Sequence, residues 1–177
     1  MKNLVVVIVF LLTSTVSFSQ GVFDKFEDND EVVSIIVNKK MFEMMSKVKV
    51  NAKDKEMQQY MSLLKKLDNL KVFTTSNTKY GADMKATVNS YLKSNPLEEL
   101  MRVKGDGKNV KIYVKSNANE NTVRELLMFI EGANMKDANT VVLSLTGNFS
   151  LDEISMLTEK MSLPGGDDLK KASKGKK

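Results

Sequence analysis

The order of patterned segments predicts an α+β fold, a two-layer sandwich in which helices pack on one face of a mostly antiparallel sheet. Three observations carry this expectation. Apolar residues recur at three-and-four spacing over 54–67 and 150–161, the mark of helices with one buried face. Four β-capable runs crowd residues 97–146, joined by short polar or Gly-bearing stretches as in an antiparallel meander. Within one of them Lys111, Tyr113 and Lys115 alternate with Ile112 and Val114, which gives that strand one wet face and one dry.

The first element is expected to leave the protein. Met1-Lys2-Asn3 precedes an uncharged apolar stretch, Leu4 to Leu12, and then Thr13 to Ser19, with small residues at Ser17 and Ser19. That is the plan of a signal peptide over 1–19 cut before Gln20, with the product periplasmic or secreted and soluble. The apolar run falls short of the roughly 18 to 20 residues of a spanning helix. No Cys follows it to carry a lipid anchor.

A single domain is expected over 20–162. Phe23 and Phe26, set among Asp24, Glu27, Asp28 and Asp30, are placed to tuck onto the core. Glu31–Asn38 holds Val32, Val33, Ile35, Ile36 and Val37 broken only by Ser34, a β-branched run suited to a strand buried on both faces. Met41, Phe42, Met44, Met45 and Val48 suggest a short helix. From Asp54 to Lys66, Met57, Tyr60, Met61 and Leu64 line one helical face. A strand follows at Leu70–Ser76, then a helix from about Ala82 to Ser94, stopped by Pro96.

Leu97–Lys104 and Asn109–Ser116 flank Gly105-Asp106-Gly107-Lys108, a hairpin signal. Thr122–Glu131 fits a strand, although Val123, Leu126, Leu127 and Ile130 also fit a helical face. Asn117–Asn121 and Gly132–Asn139 read as loops, and Thr140–Thr146 as a strand closed by Gly147. Ser150 and Glu153 have capping-box spacing ahead of Leu151, Ile154, Leu157 and Met161. Leu163-Pro164-Gly165-Gly166 ends the fold, leaving 163–177 as a flexible Lys-rich tail.

The Val-rich first strand leading into Asn38-Lys39-Lys40-Met41-Phe42, the Val123-Arg124-Glu125-Leu126-Leu127-Met128 strand, and Val142 to Ile154 with its Gly147 turn and capped helix resemble the bacterial envelope proteins grouped as the domain of unknown function 4252 family. The resemblance implies an exported location and supports strand over helix at 123–130. It brings no catalytic residues.

Composition narrows the chemistry. The 177 residues include no Cys and no His, which excludes disulfides, thiol nucleophiles, zinc fingers and imidazole bases. No catalytic, cofactor-binding or metal-ligating residue is nominated, and no cofactor is expected. Gly107-Lys108 is not a phosphate loop, because Asn109 stands where the hydroxyl residue belongs and a strand follows. Ser-x-x-Lys occurs at Ser46/Lys49, Ser62/Lys65, Ser76/Lys79, Ser90/Lys93 and Ser173/Lys176, but Ser-Asp-Asn and Lys-Thr-Gly are both missing. These read as solvated surface pairs. The acidic clusters lack the calcium-loop spacing. Asn148-Phe149-Ser150 is a formal glycosylation sequon better read as a strand-to-helix turn. Met41, Met44, Met45, Met57 and Met61 are expected to fill core gaps; exposure of the first three would point to a partner groove instead.

The net charge of +5 is unevenly placed. Lys2 lies in the leader, and Lys170, Lys171, Lys174, Lys176 and Lys177 lie in the tail, so residues 20–169 carry 21 basic against 22 acidic side chains. Those five tail lysines are candidate contacts with an anionic surface; nucleic acid is disfavoured, because the tail holds no stacking aromatics. The functional expectation is a non-catalytic binding domain of the envelope whose partner or ligand is unknown. The alternatives are a His- and Cys-independent enzyme using Ser, Lys or carboxylates, and anionic-surface attachment through the tail. A deep polar pocket gathering Lys and carboxylates would favour the enzyme. An exposed apolar strip on the first two helices, or an unpaired sheet edge, would favour docking.

Overall fold

In a computed structural model of the chain, residues 21–51, 53–105, 107–117, 122–135, 138–168 and 170 are described. The expected leader at 1–19 and the chain beyond 170 fall outside them. A short 3-10 helix, Gly21–Phe26, opens the described chain. Six strands follow: β1 (Val33–Asn38), β2 (Leu67–Thr75), β3 (Glu98–Gly105), β4 (Lys108–Ser116), β5 (Val123–Met135) and β6 (Ala138–Phe149). The α-helices are α1 (Lys39–Met45), α2 (Lys55–Leu64), α3 (Thr78–Ser94) and α4 (Leu151–Lys160).

All strands pair antiparallel in one sheet of order β1-β2-β6-β5-β4-β3. After β2 the chain crosses the sheet through α3 to the far edge. It then meanders back through β3, β4 and β5 to β6, which pairs with β2. The α+β class, the antiparallel sheet and the strand at 123–130 therefore hold.

Helices cover both faces, where the sequence reading placed them on one. Leu70, Val72, Leu126, Met128, Ile130, Val141, Leu143 and Leu145 share a core with Phe42 of α1, Leu63 and Leu64 of α2, and Ile154 and Leu157 of α4. Their immediate neighbours Phe73, Leu127, Phe129 and Val142 turn to the opposite side, where they meet Phe23, Phe26, and Met84, Val88 and Tyr91 of α3. Successive strand side chains point to opposite faces, so unbroken apolar runs in β5 and β6 need a cover on each side. The wet face inferred from Lys111, Tyr113 and Lys115 is real, and these residues are half-buried, but it belongs to β4 near one edge. At Gly81 of α3 the backbone comes so close to β6 that an added Cβ would sit 2.6 Å from Thr140 Oγ1.

Local signals set several junctions. Ser150 accepts from the Glu153 N–H while the Glu153 carboxylate accepts from the Ser150 N–H, the reciprocal capping box that the spacing predicts. The stretch read as a loop over 132–139 is mostly strand, since β5 runs to Met135 and β6 starts at Ala138, with an irregular register between Glu131 and Met135. Nor does the fold end at Leu163: Leu163 and Asp168 are both buried, and Lys108 Nζ donates to Asp168 Oδ2 at 2.5 Å.

Candidate functional site

The two edges of the sheet differ in kind. β3 carries Glu98, Glu99, Arg102 and Lys104, all exposed, and a register irregularity between Glu99 and Met101. Charge and irregular pairing are how natural sheets discourage a further strand. β1, at the other edge, is Val-Ser-Ile-Ile-Val-Asn and holds no charge. It was expected to be buried on both faces, and it is not. Val33 is 67% exposed, Ile35 42% and Ile36 43%, while Val37 enters the core. The β-branched run specifies a strand; among the described strands the topology gives it β2 as its one neighbour.

The next helix enlarges this apolar surface. α1 packs against β1 and β2 through Phe42, which is fully buried, with Met45 against the same core. A two-turn helix with Phe42 and Met45 facing inward leaves Met41 and Met44 on another side. They are 50% and 57% exposed, and Val48 just beyond is 60% exposed. Core filling thus describes Met45, Met57 and Met61, which pack on the core, but not Met41 and Met44. The result is an apolar strip of Val33, Ile35, Met41, Met44 and Val48 beside a sheet edge, with Ile36 on the reverse face.

Opposite charges bracket the strip, each on a fixed scaffold. The segment that leads into the N-terminal end is tied to β2: Lys71, directly across from Ile36, binds Asp24 and Glu27, the latter at 2.6 Å. Burial pulls the Lys71 ammonium down, and the two carboxylates more than offset it, so its pKa lies above the ordinary lysine value. The turn they anchor is held further by Thr75 Oγ1, which donates to the Glu31 carbonyl at 2.7 Å, and by the Glu31 N–H, which donates to Asn29 Oδ1. That turn presents Asp28, Asp30 and Glu31 to solvent. At the C-terminal end Asn38 caps α1 by accepting from the Met41 N–H at 3.0 Å. Lys39 pairs with Asp68 at 2.9 Å, a bond that raises its pKa, and Lys40 stands exposed beside it. Asp28, Asp30 and Lys40 have no ion-pair partner among the described residues.

The remaining candidates are dispersed. Lys170 lies exposed at the rim of an open cleft of about 750 Å³ beside α4, also lined by Lys108, Ser155, Thr158 and Asp168. The cleft gathers Lys and carboxylate, yet its buried acid, Asp168, is already bonded to Lys108, and Thr158 Oγ1 donates to the Ile154 and Ser155 carbonyls. Lys171, Lys174, Lys176 and Lys177 lie outside the described residues, as does Ser173/Lys176. The other four Ser-x-x-Lys pairs are scattered, with Lys79 at the start of α3 and Ser90/Lys93 near its end; Ser62, Lys65, Ser76, Lys79, Ser90 and Lys93 are exposed. Asn148 is exposed and its N–H donates to the Lys66 carbonyl, in the turn that delivers Ser150 to its cap. Among the described residues no group of three or more acidic side chains could hold a metal ion, and no helix is long and apolar enough to cross a membrane.

Comparison with known proteins reports on ancestry and not on activity. No curated protein and no solved structure matches the chain. A family model described as Domain of unknown function (DUF4252) matches residues 26–157, which takes in β1, the six-stranded sheet and most of α4. With more than half of its length matched, the chain belongs to the DUF4252 family.

Proposed function

We propose that the protein is an exported, non-catalytic interaction domain of the bacterial envelope, and that the β1 edge with Met41, Met44 and Val48 is its docking surface. The observation that carries this is the contrast between the edges: β3 is charged and irregular, whereas β1 offers an uncharged strand whose apolar side chains lie in water. An exposed edge supplies main-chain donors and acceptors for an added strand, and flanking apolar side chains supply the area to bury. Methionine suits such a surface, because its unbranched thioether adapts to the shape of what it meets. The charged start, the apolar run and the Ser17/Ser19 spacing support the export reading, with the cut before Gln20.

The test compares the size of native envelope complexes containing the unaltered protein with those containing a Met41→Lys/Met44→Lys double variant. Both side chains are half exposed or more, so the variant keeps its fold. The expected result is loss of the larger species with an unchanged melting temperature. Complexes of unchanged size would contradict the assignment of this surface. N-terminal sequencing of the exported protein checks the cut, which should leave Gln20 or its cyclised form first.

A further inference from the structure

We infer that the partner at this edge is a second copy of the same chain, its β1 running antiparallel to the first about a two-fold axis at Ile35. The inference rests on the docking surface proposed above and names its occupant. A two-fold interface is self-complementary: whatever residue i meets in the other copy, that residue's counterpart meets i in return. A strand can satisfy this only if its pattern reads compatibly in both directions, and β1 with its flanks does so.

Antiparallel strands related by a two-fold place each residue opposite one equidistant from the axis. With the axis at Ile35, Ile35 faces its own copy, Val33 faces Val37, and Ser34 faces Ile36, so apolar meets apolar along the face that carries the exposed strip. Beyond the strand the ladder stops, because residues 30–31 form a turn and α1 begins at Lys39; the same register sets the turn bearing Asp30 and Glu31 of one copy at the end where Lys39 and Lys40 open α1 of the other. The acidic turn of one copy thus lies beside the basic start of α1 in the other, twice over. Registers centred one residue away also pair apolar side chains, Ile35 with Val37 about Ile36 and Val33 with Ile35 about Ser34, so it is the charged flanks that favour an axis near the middle of the strand. An axis near Ile35, at the middle of β1, brings the two ends of the strand level with their counterparts, the acidic flank of each copy beside the basic flank of the other.

The charges at both ends are held in place before any partner arrives. Lys71, Thr75 and Asn29 fix the turn bearing Asp30, while the Asn38 cap and the Lys39–Asp68 pair fix the helix start bearing Lys40. Asp30 and Lys40 lack an ion-pair partner among the described residues, so the second copy supplies one without breaking an internal bond. Pairing would extend the sheet from six strands to twelve across the two copies, cover the undefended edge, and bring Met41 and Met44 of each copy toward the acidic turn of the other. The charged β3 edges would remain outermost.

Sedimentation equilibrium of the exported protein, unaltered and with single charge reversals, tests this. The unaltered protein should dimerise. Asp30→Lys alone and Lys40→Glu alone should each weaken the dimer about tenfold, because two symmetry-related surface pairs turn from attraction to repulsion. An equimolar mixture of the two variants should recover the affinity as a heterodimer, since each then meets the opposite charge at both ends. That recovery also shows that both variants are folded. Ile35→Lys, which sets two ammonium groups against each other on the axis, should abolish the dimer. A monomeric unaltered protein, or a dimer indifferent to Ile35→Lys and to both reversals, would overturn the second copy as occupant. Loss of envelope complexes in the Met41→Lys/Met44→Lys variant would then still support docking of a different chain, so the two proposals fail separately.

Discussion

Placing a lysine at position 35 and, separately, at position 37 divides docking from folding within a single strand. The two residues lie on the same face of β1, yet Ile35 is 42% exposed and Val37 8%. Full burial of an isoleucine side chain is worth about 1.5–3 kcal/mol. A little under half of Ile35 is already in water, and the methylene stem of a lysine can cover much of the same surface while its ammonium stays wet. Ile35→Lys should therefore cost about 1 kcal/mol or less. Val37 sits across from Leu70 in the core that holds Phe42. Val37→Lys removes that packing and presses an ammonium against apolar side chains, at a cost of about 3–5 kcal/mol. For a domain of this size each kcal/mol moves the melting temperature by roughly 2–4 °C. Thermal melts should thus show a drop of no more than about 4 °C for Ile35→Lys and of at least about 6 °C for Val37→Lys. Equal drops, in melts dilute enough that the chain is monomeric, would refute the reasoning, because they would mean that Ile35 belongs to the core of the single chain.

Other substitutions probe the frame that carries this edge. Gly132 has φ +66°, and a Cβ there would lie 1.9 Å from the Gly107 carbonyl oxygen, so Gly132→Ala should lower stability by about 2 kcal/mol or more; Gly105→Ala, with open space around it, should cost under about 0.5 kcal/mol in the same urea titration. Burial alone would raise the Glu153 pKa, but Lys66 at 2.6 Å and the Ser150 N–H at 2.8 Å outweigh it and hold the carboxyl below the ordinary value. A depressed carboxylate contributes stability above its unfolded pKa of about 4.3 and loses it as pH falls through the folded value. The stability difference between the unaltered protein and Glu153→Gln should therefore shrink in melts taken from pH 6 down to pH 3, and a constant difference would contradict the assignment. Tyr91 donates its hydroxyl to the buried Glu125 carboxylate, so Tyr91→Phe should cost about 1–3 kcal/mol by urea titration and leave envelope complexes unchanged.

Much of the architecture was legible because it is local. The stripe on α2, the Ser150–Glu153 box and the Gly105–Lys108 turn depend on residues a few positions apart, and each forms where its pattern places it. Strand order is different in nature. Nothing near Val33 encodes that β2 will give its second edge to β6, and that pairing is what leaves β1 outermost. A β-branched run specifies an extended conformation in the centre of a sheet and at its margin alike, so burial on both faces was the natural expectation and proved incorrect. The two-sided core was hidden for a related reason: apolar periodicity shows that a helix has a buried face, not which side of the sheet it meets. Met41 and Met44 illustrate the same limit, since α1 is too short for its periodicity to separate the inward pair, Phe42 and Met45, from the outward one.

The most direct test of β1 as the docking edge is site-specific photocrosslinking in intact cells, with the photoreactive residue at position 35 in one strain and at position 102, on the charged β3 edge, in another. The account predicts a discrete crosslinked species from position 35 and none from position 102. A discrete product from position 102 with none from position 35 would contradict it.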